Sequence, residues 1–165
     1  MKHYLIRFIT GCILCWSSPI LAQDFNYDRY SATTLQAIAD EWNKTTESYE
    51  PGISILTPSL SIRIDASALG ASTSCSNETL GLILKVSGLQ QALREVGINR
   101  CLSIAATPNS TPITVYIQDR LTTDYDQEVR AGSSVRLYAL LLAYQVSEDR
   151  KMNAPILLVN AFRAL

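Results

Sequence analysis

The chain has 165 residues, 14 Lys and Arg against 15 Asp and Glu, four cysteines, and a single histidine at position 3. Hydrophobic residues make up 47% of it and charged residues 18%. That balance suits a folded domain of ordinary size and excludes a disordered tail, a collagen-like repeat or a disulfide-dense miniprotein.

Residues 1–22 read as an export signal of bacterial type. Lys2 and Arg7 supply the positive start, Phe8 to Trp16 form an almost uncharged apolar run, and Ala22 after Ile20-Leu21 offers the small residue that cleavage needs. The run is shorter than the roughly 20 apolar residues of a membrane-spanning helix. A lipidated Cys12 is the competing reading, but too little apolar chain precedes it. Removing 22 residues leaves 143, with 12 basic against 15 acidic side chains, two cysteines (Cys75 and Cys101) and no histidine. A Ser-His-Asp triad, a Cys-His dyad and an HExxH zinc site are therefore out of reach of the mature chain. The acidic balance argues against phosphate-backbone binding as the main task, while leaving room for a local basic patch. Residues 23–165 read as a single exported α+β domain, periplasmic or secreted, with no transmembrane segment once the signal is gone and no cofactor.

Residues 23–30 are polar and aromatic and read as a loosely held arm. Ser31 is the expected cap of a helix running to about Thr46, with Leu35, Ile38, Ala39 and Trp42 as its apolar stripe. Glu50-Pro51-Gly52 is a turn. Leu60, Ile62 and Ile64 alternate with Ser61, Arg63 and Asp65, the pattern of a half-buried strand; residues 66–77 read as loop.

In an exported chain Cys75 and Cys101 should form one disulfide. The bridge constrains what lies between its ends. Residues 77–96 show one amphipathic helical pattern, through Leu82, Val86, Leu89, Leu93 and Val96. A straight helix of that length spans about 28 Å, and the flanking chain reaches back only about 24 Å, so the two are nearly incompatible. Ser87-Gly88 is the natural break. Residues 80–86 are then a strand or a short helix, and Leu89–Val96 a helix stopped by Gly97. With a strand first, this is a βαβ-like unit.

Farther on, Leu102–Ala106 and Ile113–Gln118 read as a hairpin around the Pro108–Thr111 turn. Asp119–Val129 is a polar connector or short helix, Val135–Gln145 a long strand after Gly132, Ser147–Asn153 a charged loop, and Pro155–Phe162 the last strand. The order strand, polar connector, glycine, long strand, loop, strand resembles the second half of an OB-fold barrel, over residues 101–163. The expected fold class is α+β: mainly antiparallel sheet or a partly open OB-like barrel in the C-terminal half, with an N-terminal helix and a disulfide-tied helical or βαβ-like unit.

Three candidate sites follow. Asp119, Asp124, Asp126 and Glu128 superficially suit a calcium loop, but Val129 and Val135 stand where an EF-hand needs Gly and Glu; a solvated connector is the plainer reading. Tyr116, with Gln118 and Arg120 in its parity, could share a sheet face with Arg136, Tyr138, Leu140, Leu142 and Tyr144. Tyr116, Arg136 and Tyr138 would then form a shallow ligand-binding surface of the kind OB-like barrels use for oligosaccharide or single-stranded nucleic acid. Paired carboxylates of a cell-wall hydrolase are a third option, with nothing to choose one pair among 15 acids. The expected function is a non-enzymatic exported binding or accessory protein whose partner is another envelope or secreted protein; an OB-like binding module and a carboxylate-dependent hydrolase are the alternatives.

Overall fold

The computed structural model describes residues 25–45, 51–89, 91, 95–146 and 152–165. The export signal, the side chain of Trp42, Glu50 and the loop at 147–151 lie outside them. The strands are β1 Ser31–Ala32, β2 Gly52–Ala68, β3 Thr73–Ser74, β4 Arg100–Ala105, β5 Ile113–Ile117, β6 Ser134–Val146 and β7 Met152–Ala164; the helices are α1 Leu35–Thr45, α2 Glu78–Val86 and α3 Asp119–Glu128.

Five of these strands run in a ring, β2–β4–β5–β7–β6 and back to β2. Every pairing round it is antiparallel except β5 with β7. Numbered along the chain from β2, the order round the ring is 1-2-3-5-4, with α3 between the third and fourth strands. That is an OB-like barrel, and it takes in β2 as well as the strands after residue 100. The β2–β4 seam is short, Ser67 opposite Ala105 and Ala68 opposite Ile104. Farther back along β2 the same edge is covered by β1, with Ser31 beside Ile62.

Alternation on the strands builds the interior. Ile62, Ile64, Leu102, Ile104, Val115, Ile117, Val135, Leu137, Leu157 and Val159 all point inward and are buried. Leu35 and Ile38 of α1 and, at the other end of β7, Tyr125 of α3 and Val129 just after it pack against the same cluster. A second cluster lies outside the ring. Leu80, Ile83 and Leu84 of α2 and Ile98 pack on Leu142, Ala143, Ile156 and Leu158. Because β6 and β7 are covered on both faces here, their sequences read as continuous apolar runs.

The Cys75–Cys101 disulfide is present, with Cα atoms 5.8 Å apart. The chain breaks at Ser87-Gly88, where Gly88 takes a φ of 71°, and is helical again at Glu95–Val96. Gly97 follows with φ 60°. The segment before the break is helix α2, so the disulfide-tied unit is helical and no βαβ unit forms.

Three local readings need correction. Residues 66–77 are only partly loop, because β2 runs on to Ala68 and Thr73–Ser74 forms β3. Thr34 caps α1, its hydroxyl accepting from Ala37 N–H at 3.0 Å. Ser31 instead pairs with β2, and Thr33 N–H donates to the Arg63 carbonyl. On β6, a register shift between Leu141 and Ala143 breaks the even-numbered face. Leu142 stays outside beneath α2, and Tyr144 turns into the barrel cluster.

Candidate ligand-binding face

The outer surface of β2, β6 and β7 is built in rows. Asp65, Arg136 and Arg163 stand side by side, then Arg63, Tyr138 and Ala161, and Ser61 beside Leu140 follows. Outward positions alternate with the inward Ile62, Ile64, Val135 and Leu137, so the pleat itself lines these groups up.

The arm from Phe25 to Tyr30 lies across this surface and is ordered. Tyr27–Arg29 makes a 3-10 turn, and three of its aromatic rings surround Tyr138. Ring centres are 4.7 Å from Tyr27, 5.6 Å from Tyr30 and 5.9 Å from Phe25, all in tilted or edge-on geometry. Phe25 also stacks on Tyr30 at 5.3 Å. Such pairs add about 0.5–1.5 kcal/mol each beyond area burial, so a short polar segment is held without a long secondary element. Tyr138 is left only 6% exposed, whereas Tyr27 is 48% exposed.

Arginines surround the cluster. On one side a groove of about 580 Å³ is lined by Tyr27, Arg63, Arg136, Tyr138, Phe162 and Arg163. On the other, a cavity of about 680 Å³ is lined by Arg29 and Arg120 among others. Of these five guanidinium groups only Arg136 makes an ion pair among the described residues, its Nε and Nη2 donating to Asp65 at 2.7 and 2.8 Å. That forked contact lowers the Asp65 carboxyl below its ordinary value, outweighing partial burial, with Arg63 adding to the effect. The same contact raises Arg136 further.

The sequence-derived trio is therefore divided. Arg136 and Tyr138 share one groove. Tyr116 pairs with Cys101 and Leu158 and packs into the cluster beneath α2, where burial raises its phenol pKa. Gln118 is buried, its amide donating to Asn160 at 2.7 Å, and Arg120 lies on α3 at the cavity. Phe25, Tyr27, Arg29, Tyr30, Arg63, Asn160 and Arg163 complete the face. The signal for the arm was its aromatic density, three rings within residues 25–30.

Two carboxylates of α3 hold the fold. Asp119 accepts from Asn99 N–H and the Asn99 amide at 2.8 and 2.7 Å. Asp126 accepts from Ser72 N–H and hydroxyl at 2.7 and 2.9 Å. Both tie α3 to the flanks of the disulfide unit. Gly97 is required beside Asp119: a Cβ there would stand 2.7 Å from the carboxylate. Among the described residues no group of three or more Asp, Glu, Cys or His could hold a metal ion, and no helix is long and apolar enough to cross a membrane. The chain matches no family model, and no curated protein matches it.

Proposed function

We propose that this chain is a non-enzymatic exported binding module that holds an anionic oligosaccharide on the outer face of β2, β6 and β7. One observation carries the reading: a four-ring aromatic cluster set among five arginines, four of them without an ion pair among the described residues. Aromatic rings pack on sugar rings, and guanidinium groups hold carboxylate or phosphate oxygens in forked hydrogen bonds. The chain is acidic beyond residue 22 by residue count, yet five of its 12 basic residues there line this face. Export, inferred from residues 1–22, would bring such a face to envelope or extracellular glycans. The usual ligand surface of OB-like barrels, over the second and third strands, corresponds here to β4 and β5, where Cys101 is bridged and Tyr116 lies in the cluster beneath α2.

The test is titration of the pure protein with a galacturonate tetramer, a neutral maltotetraose and an oligothymidylate of similar length. Binding of the acidic tetramer, little of the neutral one, and loss of about tenfold or more in Tyr138→Ala is expected. Stronger binding of the oligothymidylate than of the acidic sugar, or an unchanged Tyr138→Ala, rejects the proposal. A second reading, an accessory protein that contacts another envelope protein, is favoured by Leu82 and Val86, one turn apart on α2 and 55% and 65% exposed. Leu82→Asp would abolish that contact and leave sugar binding intact.

A further inference from the structure

The cavity on the Arg29 side of the aromatic cluster differs in kind from the groove. Its wall combines Arg29 and Arg120 with the polar tips of Tyr30, Ser61 and Asn160, and with the apolar surfaces of Phe25, Leu121 and Leu140. Among the described residues no carboxylate lines it, and neither arginine has an ion pair. Two positive charges facing one space without a counter-charge are electrostatically unfavourable, and an anion relieves them.

A directed chain of hydrogen bonds leads into this space from the barrel wall. Gln118, 7% exposed, donates from Nε2 to Asn160 Oδ1 at 2.7 Å. Asn160 donates from Nδ2 to the Tyr30 hydroxyl oxygen at 3.1 Å. Each step points the same way, so the bonds polarise one another. Since the Tyr30 oxygen accepts, its own proton is free to donate to a ligand, and the second Asn160 N–H is available as well. Holding this direction leaves Gln118 Oε1 buried without a partner among the described residues, an orphan acceptor of the kind that marks a functional constraint. Asn160 is set here by the register shift of β7 between its pairs with Tyr138 and Ala139.

We infer that this cavity is an oxyanion subsite, taking a single carboxylate or phosphate group borne by the ligand, with Arg29 and Arg120 supplying charge and Tyr30 and Asn160 supplying directed hydrogen bonds. The inference rests on the oligosaccharide reading for its ligand, but the subsite is separately measurable. The apolar wall suits the ring or carbon stem that carries the acid.

The experiment is an NMR titration of the full mature chain with inorganic phosphate, galacturonate and neutral galactose at fixed ionic strength, following the Asn160 side-chain amide and the arginine Nε–H signals. Saturable shifts with phosphate or galacturonate, absent with galactose, are expected; the tighter of the two acids identifies the pendant group. Tyr30→Phe keeps the ring that stacks on Phe25 and should weaken binding several-fold, and Arg120→Met about tenfold. Shifts that never saturate, that sodium chloride reproduces, or that survive both substitutions overturn the inference. If the tetramer still binds with Tyr138 dependence while the single acids fail to saturate, the subsite is wrong and the oligosaccharide reading stands. If the single acids saturate but the tetramer does not bind, the subsite stands and that reading fails.

Discussion

The barrel covers its outer wall in two ways. Over β5, β6 and β7, helix α2 presses Leu80, Ile83 and Leu84 onto Leu142, Ile156 and Leu158, and the disulfide at Cys75 fastens the unit to β4. Over β2, β6 and β7, the arm from Phe25 to Tyr30 is held by ring contacts and hydrogen bonds, with cavities on both sides and five arginines at their rims, four of them without an ion pair among the described residues. The first cover is apolar, covalently tied and closed. The second leaves charge and unfilled donors at the surface. An apolar seal contributes stability roughly in proportion to its area. A cationic face with openings contributes little to stability, and on the proposed reading its field draws in an anionic ligand. On the proposed function, the two halves of one wall divide folding from recognition.

The largest effect expected separates them most directly. Replacing both Cys75 and Cys101 by Ala should lower the unfolding free energy by about 3.5 kcal/mol, from the chain entropy of a loop of this length, read by urea denaturation. Hydrogen exchange should show α2 amides losing protection first, since α2 is fastened mainly by the bridge and one apolar face. Affinity for the acidic tetramer, measured on the folded fraction, should not change. If it falls in parallel, the two faces are coupled and the division fails.

The sequence reading reached the sealed half more easily than the open one. The bridge, the break at Ser87-Gly88 and the stop at Gly97 follow from chain geometry and glycine, which act locally. The order of elements from Ile113 to the last strand follows from alternation and turns, and it leads to an OB-like barrel. Whether residues 80–86 are helix or strand was not decidable from a short apolar run, because burial on one side of the barrel satisfies either. Tyr144 could not be placed, because one bulge at Leu142 reverses parity and leaves no mark in the sequence. The arm reads as an arm, but its docking on Tyr138 is not legible, for a related reason. Phe25, Tyr27 and Tyr30 follow neither helical nor strand periodicity, and only tertiary contact with Tyr138 orders them. Arg63, Arg136 and Arg163 are far apart in the chain and gather only through β2–β6–β7 register.

A smaller effect of opposite sign comes from the barrel end. The Tyr125 hydroxyl is fully buried without a partner among the described residues, and burial together with the neighbouring Asp126 charge pushes its pKa up to about 12. Its ring packs edge-on against Phe162 at 5.3 Å. Tyr125→Phe keeps that contact and removes the unsatisfied group, so the protein should gain about 1 kcal/mol by urea denaturation. Ligand binding at the arginine face should stay the same. A loss of stability would mean that the hydroxyl has a partner in solution, such as a buried water, and that this end of the barrel is polar rather than sealed.

The smallest effect sharpens the open face itself. Asp65 is the acid in the row with Arg136 and Arg163, and its forked contact occupies Arg136. Asp65→Asn removes the competing carboxylate while keeping the shape. Affinity for the acidic tetramer should rise about two- to fivefold at low salt, in line with the modest worth of exposed ion pairs. The gain should vanish near 1 M salt, where the screening length is about 3 Å. Protonation of Asp65 breaks the same ion pair, which shows in stability. The Asp65 carboxyl titrates below its ordinary value of 3.8 because Arg136, then Arg63, favour the charged form. The ion pair's stabilisation is therefore fully present above the unfolded carboxyl's pKa and is lost as pH falls through the lower folded value. Carbon-detected NMR should place that midpoint below 3.8, moving back toward it in Arg136→Ala. Unchanged tetramer affinity in Asp65→Asn at low salt would mean that Arg136 does not meet the ligand, leaving Arg63 and Arg163 to hold that side of the groove.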